Sequence, residues 1–271
     1  LVLDTPEGEA RVPCERLIAR LGAAQPRKLV EACGVSFPND ERNALPEVTP
    51  KYESNMPGLY VVGALGGFPL IKQALNQGYE VIEHIVGEAV EPADSPLLRE
   101  KLALTPGWTV DGFLDAVRER VPIFAELNAL VLRDTMLESD VHKFTDGETV
   151  LRRNDYTNSL YVVIEGAVCV HLDDEDPPKA SVTLGQGAFF GEMGLISGRR
   201  RTATVSAVGD VLLLEVPRRR MIALRASVAA VRESMDREAV ARAIQAHLAP
   251  GLDRESIDDI AATATIHSWA K

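Results

Sequence analysis

The sequence predicts an α+β chain: a β-roll or jelly-roll barrel of short strands with flanking helices, preceded by a partial α/β segment. Three observations predict it. From Ile123 onward, β-branched runs such as Leu160-Tyr161-Val162-Val163-Ile164 alternate with glycine turns at near-regular spacing. Earlier, an apolar strand-like run, Leu59–Val62, meets a glycine-rich turn and then a helix. Apolar residues at helical spacing flank the roll, at Val110, Phe113, Leu114 and Val117 and again from Met221 to Ile244.

Bulk properties limit the function. At 271 residues the chain is long enough for two domains. With 46% hydrophobic and 25% charged residues it reads as globular. A net charge of −11 argues against nucleic-acid binding, which rests on a basic face. No apolar run reaches the roughly 18 to 20 residues of a membrane span. Cys14, Cys33 and Cys169 lie far apart with no C-x-x-C, which suggests reduced thiols and a cytoplasmic setting. His84, His142, His171, His247 and His267 are scattered without metal-ligand spacing.

Residues 1–90 form the first region. Leu1–Val12 alternates around Thr5-Pro6-Glu7-Gly8 and reads as a hairpin. Cys14–Leu21 is a short apolar segment, Leu29–Val35 a short helix ending near Gly34, and Ser36–Pro50 a loop. Leu59–Val62 reads as a buried strand. A helix then starts near Pro69 and runs to about Ile85, with Gly87 as its stop. The chain opens and closes in mid-pattern, which reads as a piece of a longer protein. Residues 91–109, with Pro92, Pro96 and Pro106, read as a loosely packed linker.

Residues 110–248 form the second region. Val110–Val121 is helical, and from Ile123 the pattern turns to β. Strands are expected at Val141–Phe144, Thr149–Leu151, Leu160–Ile164, Ala167–Leu172 (after a reversal at Glu165-Gly166), Val182–Leu184, Thr202–Val208 and Val211–Val216. Asp173–Lys179 is an acidic loop. One helix is expected from Pro217 to about Leu248. Residues 249–271 echo Ala129–Phe144 and read as the start of a second roll.

The run Phe189–Val205 has the parts of an anion clasp. Gly191 permits close backbone approach, a short helix start offers unpaired N–H groups, and Arg201 offers a two-pronged donor to phosphate oxygens. Glu192 repels a phosphate but suits a sugar hydroxyl. Phe190-Gly191-Glu192, a short helix, then Arg201-Thr202-Ala203 running into Thr204-Val205 resembles the phosphate-binding cassette of the cyclic-nucleotide-binding domain family. The resemblance covers about 123–224 and implies that Arg201 holds the cyclic phosphate and Glu192 the ribose 2′-hydroxyl. The N–H groups near Gly191 to Met193, with Thr202, would complete the cage. Arg200 stands where the family often has Pro, and Arg201 is chosen because Thr-Ala follows it. The choice between cAMP and cGMP stays open.

A second resemblance lies upstream. Pro57-Gly58-Leu59-Tyr60, Gly63, then Lys72-Gln73-Ala74 resembles the C-terminal flavin-binding segment of thioredoxin-reductase-like flavoproteins. It implies that Gly63 lies near the ribityl phosphate of FAD and that Gln73 and the helix N-terminus face the flavin pyrimidine edge. Ala64 stands where that family has Asp, and both the G-x-G-x-x-G fingerprint and a redox C-x-x-C are missing from this sequence. The chain itself is therefore not expected to hold FAD well or to be catalytic.

Together the resemblances imply a cyclic-nucleotide-binding regulatory module fused to an FAD-dependent, NAD(P)H-linked oxidoreductase. Its partners would be cyclic nucleotide and the upstream flavin domain of the parent, with room for a homo-oligomer. The alternative is an oxidoreductase fragment whose roll is a non-binding docking or assembly piece. A transcription regulator would need a helix-turn-helix after the roll, where a long helix is read instead.

Overall fold

The computed structural model describes residues 2–5, 8–13, 26–41, 44–105, 107–172, 181–197, 200–248 and 252–264. Strands β1 (Val2–Thr5) and β2 (Gly8–Arg11) pair antiparallel as the expected hairpin. Helix α1 (Arg27–Ala32) follows. The Cys14–Leu21 segment, the Asp173–Lys179 loop and the end of the proposed second roll beyond Ala264 lie outside the described residues.

Leu59–Val62 is not a regular strand. Its one ladder contact is an isolated bridge between Glu53 and Tyr60, and the described residues provide no sheet beside it. A 3-10 turn at Gly63–Gly66 leads to α2 (Ile71–Val86), which starts two residues later than Pro69. Gly87 ends α2 in the left-handed conformation, as its position predicted. Val81 of α2, Tyr52, Phe68 and Leu130 form one small core, and Val30, Val35 and Val61 another.

The 91–109 segment is more ordered than a linker. Asp94 and Ser95 accept from Arg133 at the start of α3 (Ser95–Lys101). Leu98 and Leu102 are buried in the main core. Helix α4 (Val110–Arg120) follows, its N-cap Thr109 accepting from the Gly112 N–H at 3.1 Å.

The β pattern does not begin at Ile123. A 3-10 turn at Pro122–Phe124 precedes α5 (Ala129–Glu138), capped by the Asn128 side chain. Six of the ten residues of α5 are buried, so it shows no amphipathic stripe by which to read it.

The roll is one antiparallel sheet. It contains β3 (Asp140–Phe144), β4 (Thr149–Leu151), β5 (Ser159–His171), β6 (Ser181–Gly185), β7 (Phe189–Phe190) and β8 (Thr204–Pro217). The order is β3-β8-β5-β6, with β4 on β8 and β7 on β5. Short α6 (Glu192–Ser197) lies between β7 and β8. Glu165-Gly166 makes no reversal: β5 is continuous, and its register against β8 shifts there. Gly166 has φ +82°, and a Cβ would lie 2.4 Å from the Asp210 carbonyl oxygen, so the glycine permits a bulge between two long strands. The two strands expected after the cassette are likewise the single β8.

Alternation explains the unbroken apolar run of β5. Leu160, Val162 and Ile164 face the helices with Leu212, Leu214 and Val216 of β8. Tyr161 and Val163 face the roll interior with Val211, Leu213 and Phe190. Both faces are buried, so no polar face is left. After the roll, the expected single helix is two: α7 (Arg218–Ser227) and α8 (Ala229–Ala243), meeting at extended Val228. A π turn (Ile244–Leu248) and α9 (Arg254–Thr263) complete the described chain.

Candidate functional site

The site is built where β7, α6 and the start of β8 converge on one end of β5. Gly191 takes φ +91°, and a Cβ there would sit 2.5 Å from Arg201 Nη1. The glycine is what lets the backbone and the guanidinium share this corner. Phe190 stacks on Tyr161 with ring centroids 5.4 Å apart, which fixes the strand leading into the turn.

Of the two candidate arginines, Arg201 turns inward. It is 4% exposed, and its guanidinium carbon lies 6.0 Å from the Tyr161 ring centre. Nε donates to Thr157 Oγ1 at 2.6 Å, Nη1 to the Gly191 carbonyl at 2.8 Å and Nη2 to the Ser159 carbonyl at 2.7 Å. Burial pulls its pKa below the ordinary arginine value, opposed by Tyr161, Glu215, Glu192 and Asp155. Arg200 turns outward, donating to the Asn154 carbonyl at 2.9 Å over the Tyr156 ring. Thr202 is exposed, and Met193 and Ala203 are half-buried beside the turn.

Glu192 is fully buried. Oε2 pairs with Arg242 Nη1 at 2.6 Å, so a cation from α8 stands against the carboxylate that the sequence assigned to a sugar hydroxyl. Arg242 is itself fixed by Glu238 at 2.8 Å and the Phe189 carbonyl at 2.5 Å. The second oxygen, Glu192 Oε1, is buried and accepts no hydrogen bond. Burial raises the Glu192 pKa above the ordinary carboxylate value, and Arg242 only partly offsets it.

Sequence reasoning missed Thr157, Ser159 and Arg242. The first two lie between the expected strands Thr149–Leu151 and Leu160–Ile164. Arg242 lies 50 residues from Glu192, on a helix read only by its apolar residues. No local pattern announces it.

The upstream residues are not arranged as a flavin cage. Gly63 (φ +65°) lies against Ala74, whose Cβ would be 2.8 Å from an added Cβ. Its N–H is taken by Gln77 Oε1 at 2.7 Å. Gln73 donates to Asp134 Oδ1 at 3.0 Å, Lys72 is exposed, and Ala64 has no carboxylate to offer. These groups do not fit FAD held by this chain, and no step is assigned to it.

The described residues thus form a β-roll with a buried arginine and glutamate at a glycine-opened turn, with α8 packed against the glutamate through Arg242. Residues 141–227 match the family described as "Cyclic nucleotide-binding domain". A cyclic nucleotide-gated potassium channel of Rhizobium etli is 33% identical over 125 residues, covering 42% of this chain and 34% of the channel. The cAMP-dependent protein kinase type II regulatory subunit of Drosophila melanogaster is 35% identical over 71 residues, 26% of this chain and 19% of that protein. The chain thus spans about a third or less of the length of these relatives. Among solved structures, the regulatory domain of Toxoplasma gondii PKA with cAMP overlaps at 24% identity and TM-score 0.39, covering 55% of this chain and 56% of that one. Among the described residues, no helix is long and apolar enough to cross a membrane, and no cluster of His, Cys, Asp and Glu could hold a metal.

Proposed function

We infer that residues 110–248 bind a 3′,5′-cyclic nucleotide as a regulatory ligand. One observation carries the reading: an arginine with three directed donors and a carboxylate oxygen with no partner are buried at one turn. A buried acceptor without a donor costs free energy that a ligand hydroxyl can recover. The cyclic phosphate would take donors that Arg201 now gives to the Gly191 and Ser159 carbonyls, forming charge-assisted bonds. The ribose 2′-hydroxyl would donate to Glu192. The gating and regulatory roles in the relatives' names support a regulatory rather than a catalytic task.

A 2′-deoxy cyclic nucleotide tests the carboxylate's part. Losing a hydrogen bond to a charged group should cost about 1.5–3 kcal/mol, roughly a ten- to hundredfold weaker affinity than the parent nucleotide. Equal affinity for both would remove Glu192 from the site.

A second, narrower reading concerns residues 57–87. Gly63 packs closely on Ala74 at a 3-10 turn between an extended segment and α2, a use of glycine shared with the turns of dinucleotide-binding units. It favours assigning 1–90 to the closing segment of an FAD-dependent, NAD(P)H-linked oxidoreductase, with the flavin held mainly by groups this chain does not supply. Flavin absorbance in the purified parent protein tests it, and a colourless, flavin-free parent would contradict it.

A further inference from the structure

Side chains outside the cradle tie it to the N-terminal region. Arg218 Nε donates to the Leu195 carbonyl at 3.3 Å, joining α7 to α6 of the cassette. Two residues on, Arg220 spreads its guanidinium over α5. Nε donates to Thr135 Oγ1 at 2.9 Å, Nη1 to Asp134 Oδ2 at 2.6 Å and Nη2 to the Val131 carbonyl at 3.0 Å. The other oxygen of Asp134 accepts from Gln73 of α2. The Arg220 and Asp134 side chains are only 12% and 15% exposed, so this is no loose surface pair. Beside them, Leu130 of α5 packs on Tyr52, Phe68 and Val81. Helix α8 makes a second tie: Arg242 holds Glu192, while Arg232 grips Glu41 at 2.7 and 3.3 Å.

We propose that the N-terminal region reads the occupancy of the cradle through this relay, from α6 to α7 by Arg218, to α5 by Arg220 and Asp134, and to α2 by Gln73. The relay rests on the cyclic-nucleotide reading of the site. Ligand must compete with the Gly191 and Ser159 carbonyls for Arg201, so the cassette repacks when it enters, together with α8, which Arg242 ties to Glu192 and to the Phe189 carbonyl. Arg220 is a planar fork with three bonds to one helix. A shift of α7 therefore either breaks those bonds together or carries α5 with it, which gives the relay two discrete arrangements. Asp134 then passes the change to α2 through Gln73. The coupling is reciprocal, so the state of α2 also biases nucleotide affinity.

Hydrogen exchange on the full chain, with and without saturating cAMP, tests the relay. Amides of Ile71–Val86 should change their exchange rate by about fivefold or more, the lower end of typical coupling. In Gln73→Ala this response should vanish while the cassette and α8 responses remain. Asp134→Asn, which turns an amide toward Arg220, should lose it too with Gln73 intact. An α2 response that is absent in the wild type while the cassette becomes protected would overturn the relay, as would a full response in both variants. If neither the cassette nor α2 responds to cAMP or to cGMP, and titration with either gives no heat, the nucleotide reading fails and the relay falls with it. That result is distinct from a bound cassette with a silent α2.

Discussion

The roll and the region before it solve the problem of burying apolar surface in opposite ways. In the roll, β5 and β8 bury both faces, one under helices and one in the interior. In the N-terminal region, α2 buries Gln77, Glu80 and Val81 but exposes Ile71, Leu75, Tyr79, Ile82, Ile85 and Val86 along one stripe. Its buried face is unusually polar. Tyr52 donates to Glu80 at 2.6 Å, Glu80 accepts from the Ala93 N–H, and Gln77 serves Gly63. Burial and Glu80 push the Tyr52 pKa above its ordinary value. The roll closes its core on both faces and carries the buried Arg201 and Glu192 at one turn. The N-terminal region is a corner of extended segment, 3-10 turn and helix, held by hydrogen bonds and by α5.

Changes in the roll should therefore dominate, and the largest effect on ligand affinity should come from Arg201. Arg201→Ala removes a buried charge-assisted contact worth about 2–5 kcal/mol, at least about thirtyfold in affinity, read by calorimetry. Arg242→Ala comes next, because it leaves Glu192 buried without a cation. Breaking one side of such a pair should lower stability by about 3–5 kcal/mol in a urea titration. Cyclic AMP should restore part of that loss by giving Glu192 a donor.

Gly166→Ala tests whether the bulge holds the two long strands together. Positive φ and the clash with the Asp210 carbonyl should cost about 1–3 kcal/mol, seen as a lower melting temperature. The pH response of Glu192 is subtler. Its folded pKa lies above the ordinary value, so the folded state binds the proton more tightly than the unfolded chain. Stability contributed by Glu192 is present below the ordinary carboxylate range and is lost as pH rises through the raised pKa. Wild-type stability relative to Glu192→Gln should fall as pH climbs through that window, measured by urea unfolding at successive pH values. Smallest is Ile82→Gln on the bare stripe of α2, which should move stability by no more than about 0.5 kcal/mol. A large loss there would mean that α2 is covered and the contrast between the regions is wrong.

Much of this was legible because it is local. Phe190-Gly191-Glu192 and Arg201 lie within twelve residues, and the turn geometry that joins them is written in that stretch. The run Leu160–Ile164 declared a strand by composition alone. What stayed hidden depends on distant partners. Arg242 meets Glu192 only after α7 and α8 fold back over the roll. Gly166 read as a reversal and Gly209 fell between two expected strands, yet their positive φ serves irregularities inside strands that continue through them. Helix α5 was missed because it is buried on nearly every side, which erases the periodicity that marks a surface helix. Leu59–Val62 looked like a strand, but a strand exists only beside another, and the described residues supply none.

The most direct measurement is a calorimetric titration of this chain with cAMP and then cGMP, repeated with Arg201→Ala. Saturable binding to the wild type with at least one of the two, and its near-complete loss in the variant, is the expected result. No heat and no thermal shift with either nucleotide, or equal binding by the variant, would contradict the cradle described here.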